Sequence, residues 1–280
     1  MRMSCLPVSF FSDIVEGRMS VPQWARMGAE LGLDAVDLSI LFVPDRSANS
    51  VRQLRHDVEA AGTSIAMVTS YPDFTHPNPT TRRREIERAR EVVEVAAGLG
   101  ARMLRVTAGQ AHPETVRSDG TSWAIDGLTR LAEATRGSTV TLVYENHAKP
   151  GAWTYTDFSQ PPEIFLEIAR GIADTGIGIN FDLGNAAAFA DDPLALLDAV
   201  IDRVVSVHAS DTSSRGQMSH VLLGTGVTPY AAFFEKLVSA GWDGWICLEE
   251  ASYQGREGVK AAISFVRKTW NEAVVTATRT

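Results

Sequence analysis

Residues 98–106 read GLGARMLRV. Upstream, Ile86, Ala89, Val93 and Ala96 recur at three- and four-residue steps, the period of an amphipathic helix over 81–99. Gly98 and Gly100 close that helix, and a short β-rich run follows at once. The same junction stands at residues 30–38, ELGLDAVDL. A helix that ends at glycine and feeds a short buried strand is the joint of an α/β chain with a parallel sheet.

Worked outward, this joint repeats along the whole chain. The β-rich runs are LPVSFF, LDAVDLSI, SIAMVTS, RMLRVTA, VTLVYE, IGINFD, RVVSVHA and GWICLEE. Helical periodicity fills 22–31, 51–61, 81–99, 121–136, 161–173, 193–200, 228–240 and 258–270. Pro22 after Ser20 and Pro193 after Asp192 mark helix starts. Eight strands and eight helices predict a (β/α)8 TIM barrel, a single domain over 1–280. A doubly wound open sheet is the alternative, but no GxGxxG follows the first strand.

The totals narrow the chemistry. The chain has 280 residues, 45% hydrophobic and 21% charged, an ordinary globular balance. Its formal net charge of -8 and pI near 5.3 weigh against a nucleic-acid partner. Cys5 and Cys247 form no CxxC pair, which fits a reducing compartment and offers no thiolate metal cluster. No apolar run reaches the roughly 18 residues of a membrane span. These features together predict a soluble, cytoplasmic protein without membrane attachment. The run RRREIERAREVVE reads as a solvated helix face, with Arg83/Glu87 and Arg90/Glu94 spaced to pair.

The informative feature is where the last four strands end. TLVYE ends on Glu145, GINFD on Asp182, VSVH on His208 and WICLE on Glu249. With period-two parity, Glu145 shares a face with Val143, Asp182 with Asn180, His208 with Ser206 and Glu249 with Cys247. In a barrel, these ends all point to the C-terminal mouth, where active sites are built. Three carboxylates at one point repel one another unless a cation lies between them. Carboxylate-rich ligation with one imidazole suits one divalent cation, Mn²⁺ first, with Mg²⁺, Co²⁺ or Zn²⁺ as alternatives. Two loops could cover the mouth: the one after the fifth strand carries Trp153, Tyr155 and Phe158, and the one after the third carries His76.

In this order, VYENH, FDLGNA, VVSVHASD, LLGTGVTPY and GWDGWICLEE resemble the xylose-isomerase-like barrels of the sugar isomerase/epimerase superfamily. That group holds ketose 3-epimerases, hydroxypyruvate isomerases and inosose dehydratases, with endonuclease-IV-type enzymes more distant. The resemblance implies that Glu145, Asp182, His208 and Glu249 are the metal quartet and that the two glutamates are the acid/base pair. It also implies that His147 lines the mouth, that Asp211 supports the site, and that Arg215 lies in a substrate-binding loop. Gly224 and Gly226 match a GxG ahead of the seventh helix. Many relatives carry DxGH after strand six; here DLGN puts Asn185 there, which can hydrogen-bond but cannot titrate.

The implied activity is a metal-dependent isomerase or epimerase on a sugar or keto-polyol, with a proton abstracted next to a carbonyl through a metal-stabilised enediolate. A lyase or dehydratase on a keto-sugar or keto-inositol uses the same site. A non-catalytic sugar-binding barrel and an endonuclease-IV-like nuclease stand lower; the nuclease needs a histidine-rich multi-metal site, and the chain has 6 His. The partner is thus a small sugar or polyol, and a homo-oligomer stays open.

Overall fold

The glycines that punctuate the sequence sit where the chain leaves its helices. Gly32 and Gly100 have φ of 82° and 72°, a left-handed backbone in which a side chain would be strained. The structure, a computed structural model, describes residues 1–149 and 151–278. Its strands are β1 (Arg2–Leu6), β2 (Val36–Ser39), β3 (Ile65–Thr69), β4 (Met103–Val106), β5 (Thr141–Glu145), β6 (Gly178–Asp182), β7 (Val204–Ala209) and β8 (Trp245–Glu249). Between and after them run α1 (Phe11–Val15), α2 (Val21–Glu30), α3 (Ala48–Ala60), α4 (Pro79–Gly98), α5 (Arg117–Ala134), α6 (Pro162–Gly171), α7 (Leu183–Phe189), α8 (Pro193–Asp198), α9 (Tyr230–Ser239) and α10 (Gly255–Ala277).

Each strand pairs in parallel with its sequence neighbour from β2 to β8, and β8 pairs with β1. The seam between β1 and β2 is closed by Asp34 N–H donating to Met3 O (2.9 Å) and by Ser4 Oγ donating to Asp37 Oδ2 (2.7 Å). The result is a single-domain barrel of eight parallel strands with helices outside, the expected TIM barrel.

The apolar side chains separate into two groups, as strand parity requires. Tyr144, Phe181, Val207 and Leu248 point outward and join the main core under the helices. Met67, Met103, Val143, Trp245 and Cys247 form a smaller cluster with Ala35. By parity this second group fills the barrel interior, and Val143 and Cys247 share their strand face with Glu145 and Glu249. The plug of carbon and sulfur thus lies beneath the polar strand ends. No helix among the described residues is long and apolar enough to cross a membrane.

Three sequence readings shift. The first strand is Arg2–Leu6 rather than LPVSFF, because Pro7 has no N–H for the ladder and residues 8–15 coil into helical turns. The segment LGNAAAF is a helix, α7, that starts directly on Asp182 as its N-cap. The arginine run is an exposed face of α4, as expected, but its pairs are Arg88–Glu85 and Arg90–Glu87.

Candidate metal centre

Strand parity places the four polar strand ends in one spot. Ligand atoms of Glu145, Asp182, His208 and Glu249 all lie within 4.8 Å of one another. Glu145, Asp182 and His208 are fully buried, and the Glu249 side chain retains 13% exposure. His208 Nδ1 lies 2.5 Å from Glu145 Oε1 and 3.3 Å from Glu249 Oε1.

The surrounding hydrogen bonds fix two of these side chains, Glu145 and Asp182. Asn180, two residues before Asp182 on β6, donates through Nδ2 to Glu145 Oε1 (2.9 Å), and Ser206 Oγ donates to Asn180 Oδ1 (2.6 Å). Asp182 Oδ1 accepts from the Asn185 N–H (2.6 Å) and from Ser210 Oγ (2.8 Å). Asn146 clips β5 to β6: its Nδ2 donates to Asp182 O (2.9 Å), and its Oδ1 accepts from Asp182 N–H (2.7 Å). Glu145 Oε2 faces Arg105 Nε at 3.0 Å, and that guanidinium is 1% exposed.

The electrostatics show what such crowding does. Burial alone would lift the Glu145 carboxyl, but His208 and then Arg105 hold it below the usual carboxylate range. Burial pushes Asp182 well above that range, with Glu249 and Glu145 adding to the rise. Burial opposes charge on His208, yet Glu145 and Glu249 raise it to about 9. Meanwhile Asp182 Oδ2 and His208 Nε2 are buried without a hydrogen-bond partner. Buried polar atoms of this kind are normally satisfied. Three carboxylates and one imidazole with spare lone pairs converging within ligand distance fit a divalent cation, which would satisfy these atoms and cancel the repulsion.

Above the cluster opens a cavity of about 1010 Å³. One wall is apolar, with Leu6, Val8, Phe11, Val15 and Leu41. The other carries Arg105, His147, Lys149, Gln160 and His220, and Glu249 reaches into the same space. His147 therefore lines the mouth, as the resemblance implies. Its ring is pushed down to about 3 by burial, and its Nδ1 lies 4.0 Å from Asp157 Oδ2. Burial raises Asp157 itself to about 8.

Other expected contacts lie elsewhere. Asn185 lines a small void behind the mouth with Asn146, His147 and Phe189. The Arg215 guanidinium donates to the carbonyls of Ala190 and Asp191 at the end of α7, not into the cavity. His76 accepts from the Asn78 N–H and packs on the His112 ring, 4.7 Å between centroids. Trp153 is buried in its loop, and Phe158 packs against Gly120 of α5. That loop still lines the cavity, but through Ala148, Lys149, Gly151, Ala152 and Thr156. Pro150, within it, lies outside the described residues. Asp211 holds the loop after β7: Oδ1 accepts from Thr212 and Thr228 N–H, and Oδ2 from Gly224 and Gly226 N–H. A Cβ at Gly226 would meet Thr212 O at 2.2 Å, so this close approach requires glycine.

Sequence reasoning missed Arg105, Asn180 and Ser206. Arg105 could have been found: it shares strand parity with Met103, so in RMLRV an arginine points into the barrel.

Comparison with known proteins agrees with this architecture. A family described as xylose isomerase-like TIM barrel matches residues 25–269. The L-ribulose-5-phosphate 3-epimerase UlaE of Escherichia coli is 23% identical over 234 residues, covering 80% of each chain. Among solved structures, a D-tagatose 3-epimerase-like protein superposes with a TM-score of 0.79 at 22% identity, covering 99% of this chain and 100% of its own. The IOLI protein, solved with a binding zinc atom, gives 0.76 at 14% identity, covering 99% of both chains.

Proposed function

The chain belongs to the xylose isomerase-like TIM barrel family, and from that premise we propose that it is a divalent-metal-dependent isomerase or epimerase of a sugar or keto-polyol. The observation that carries this reading is the convergence of four donors within 4.8 Å at the floor of an open cavity. Glu145, Asp182, His208 and Glu249 would hold the ion, Mn²⁺ first. Bound there, it supplies positive charge that polarises a substrate carbonyl and eases loss of the neighbouring proton.

The chain's own residues divide the remaining work. Glu249 is the cluster carboxylate that lines the cavity, so it takes the proton from the carbon beside the carbonyl. Glu145 is buried, with Oε1 against Asn180 and His208 and Oε2 against Arg105. That enclosure supports a ligand role for Glu145 more than a second proton carrier. His147 and Gln160 stand on the same wall to bind sugar hydroxyls. One open carboxylate suits isomerisation, in which a single base moves the proton on one face. The same single base serves a second reading, loss of a β-leaving group by a lyase; epimerisation requires Glu145 to leave Arg105.

The test is a panel of ketoses, keto-inositols and keto-glycosides incubated with Mn²⁺ in D₂O. Deuterium entering the carbon next to the carbonyl supports proton abstraction, and the product names the reaction. Glu249→Gln should abolish exchange while retaining some substrate binding. Exchange at the wild-type rate in that variant would overturn the assignment of the base.

A further inference from the structure

Arg105 occupies an unusual place for a charged side chain. It is 1% exposed, in the middle of an apolar strand, yet it lines the cavity beside Tyr71, His147 and Glu249. Two of its nitrogens are engaged: Nη1 donates to Ser70 O (2.9 Å), and Nε faces Glu145 Oε2 (3.0 Å). Its guanidinium carbon stands 4.7 Å from the Tyr71 ring centroid, which fixes the plane of the fork. Nη2 makes no hydrogen bond among the described residues. A planar guanidinium held through Nε and Nη1 presents its remaining nitrogen, Nη2, to an oxygen in a set direction.

The charge count gives this guanidinium a purpose. Glu145, Asp182 and Glu249 contribute three negative charges. A divalent cation with neutral His208 leaves one negative charge over, and Arg105 cancels it. Without Arg105 the floor would be net negative where an anion has to form.

We propose that Arg105 is a catalytic contact of this site: its Nη2 binds the substrate oxygen that becomes negative as the proton leaves. This rests on the proton-abstraction reading above. Glu249 takes the proton, the C–H bonding pair becomes the new carbon–carbon π bond, and the carbonyl π pair moves onto oxygen. That oxygen ends as an anion, and a guanidinium already aligned by Glu145, Ser70 and Tyr71 meets it without reorganising. The competing view makes Arg105 a structural counter-ion of Glu145, with no part in holding substrate.

The two views predict opposite patterns of binding. Wild type, Arg105→Met and Arg105→Lys are titrated calorimetrically with Mn²⁺. The Mn²⁺-loaded proteins are then titrated with L-threonohydroxamate, whose bound anion mimics an enediolate. Arg105→Met should bind Mn²⁺ as well as wild type or better, because a cation beside Glu145 is gone. Its hydroxamate affinity should fall about 100-fold, the usual loss when one anion-stabilising donor is removed. Arg105→Lys keeps the charge without the fork and should fall between; millimolar guanidinium chloride should restore part of the loss in Arg105→Met. If Arg105→Met does not fold, judged by near-UV circular dichroism, Arg105→Lys carries the test. Loss of both affinities together, or unchanged hydroxamate binding, would overturn the contact. A wild-type protein that takes Mn²⁺ but not the hydroxamate would instead overturn the enediolate reading, and this contact with it.

Discussion

Asp211→Asn is the change whose effect can be worked most directly from the structure. The two Asp211 oxygens accept four backbone N–H groups at 2.9–3.1 Å, from Thr212, Thr228, Gly224 and Gly226. The carboxylate is 1% exposed, so water cannot replace these bonds. An amide has one acceptor oxygen, and in either orientation its NH₂ faces two N–H donors. Two charge-assisted bonds are lost at about 1.5–3 kcal/mol each, or roughly 3–6 kcal/mol in all. For a chain of this size that is a fall in Tm on the order of 10 °C. The loss should be local first, because the held loop carries Gly216, Gln217, Met218 and His220 of the cavity wall. Hydrogen exchange should therefore show amides 224–228 losing protection in Asp211→Asn while the amides of β5 keep theirs. Asp211→Ala, which removes all four acceptor contacts, should be at least as damaging. Unchanged protection at 224–228 with a Tm within 2 °C of wild type would refute the claim that this carboxylate holds the loop.

Two further outcomes concern titration. In the ion-free protein His208 is raised to about 9, so below that pH an incoming cation must displace its proton. Mn²⁺ affinity should climb with pH toward about 9, with release of at least one proton, read by calorimetry in buffers of different ionisation enthalpy; binding at pH 7 without proton release would contradict this. Asp157 is raised from 3.8 to about 8 by burial, so between those values the native state binds the extra proton. Stability should then fall as pH rises through that window, by on the order of 1 kcal/mol per unit. Asp157→Asn keeps an oxygen for the Ser159 N–H and Oγ–H and should flatten the decline. Parallel urea-unfolding curves for both proteins at pH 5 and pH 7.5 would argue against it.

The barrel and its four-donor floor were legible because both rest on short periods. GLGARMLRV exposes the helix-to-strand joint, and parity decides which way Glu145, Asp182, His208 and Glu249 point. The loops gave less. Trp153, His76 and Arg215 stand in segments near the mouth, yet each is turned into local packing or onto backbone carbonyls. An irregular loop has no repeat to set its side-chain directions; they follow from whatever surface it meets. Arg105 is the intermediate case, since parity sends it inward but says nothing of its partner.

By itself, then, the sequence determined the strand–helix alternation, the inward set of polar strand ends and the residue types available to a cation. Tertiary structure decided which of those carboxylates is enclosed and which is open. Glu145 and Glu249 are equivalent in the sequence, each closing an apolar strand. They differ because Arg105 from β4 and Asn180 from β6 close around Glu145, while Glu249 faces the cavity. The positive partner that a buried Glu145 demands is thus in part the chain's own guanidinium. It lies 40 residues upstream, brought to 3.0 Å by the pairing of β4 with β5. Periodicity reports the direction of a side chain; only the closed sheet supplies the neighbours that set its charge and its exposure.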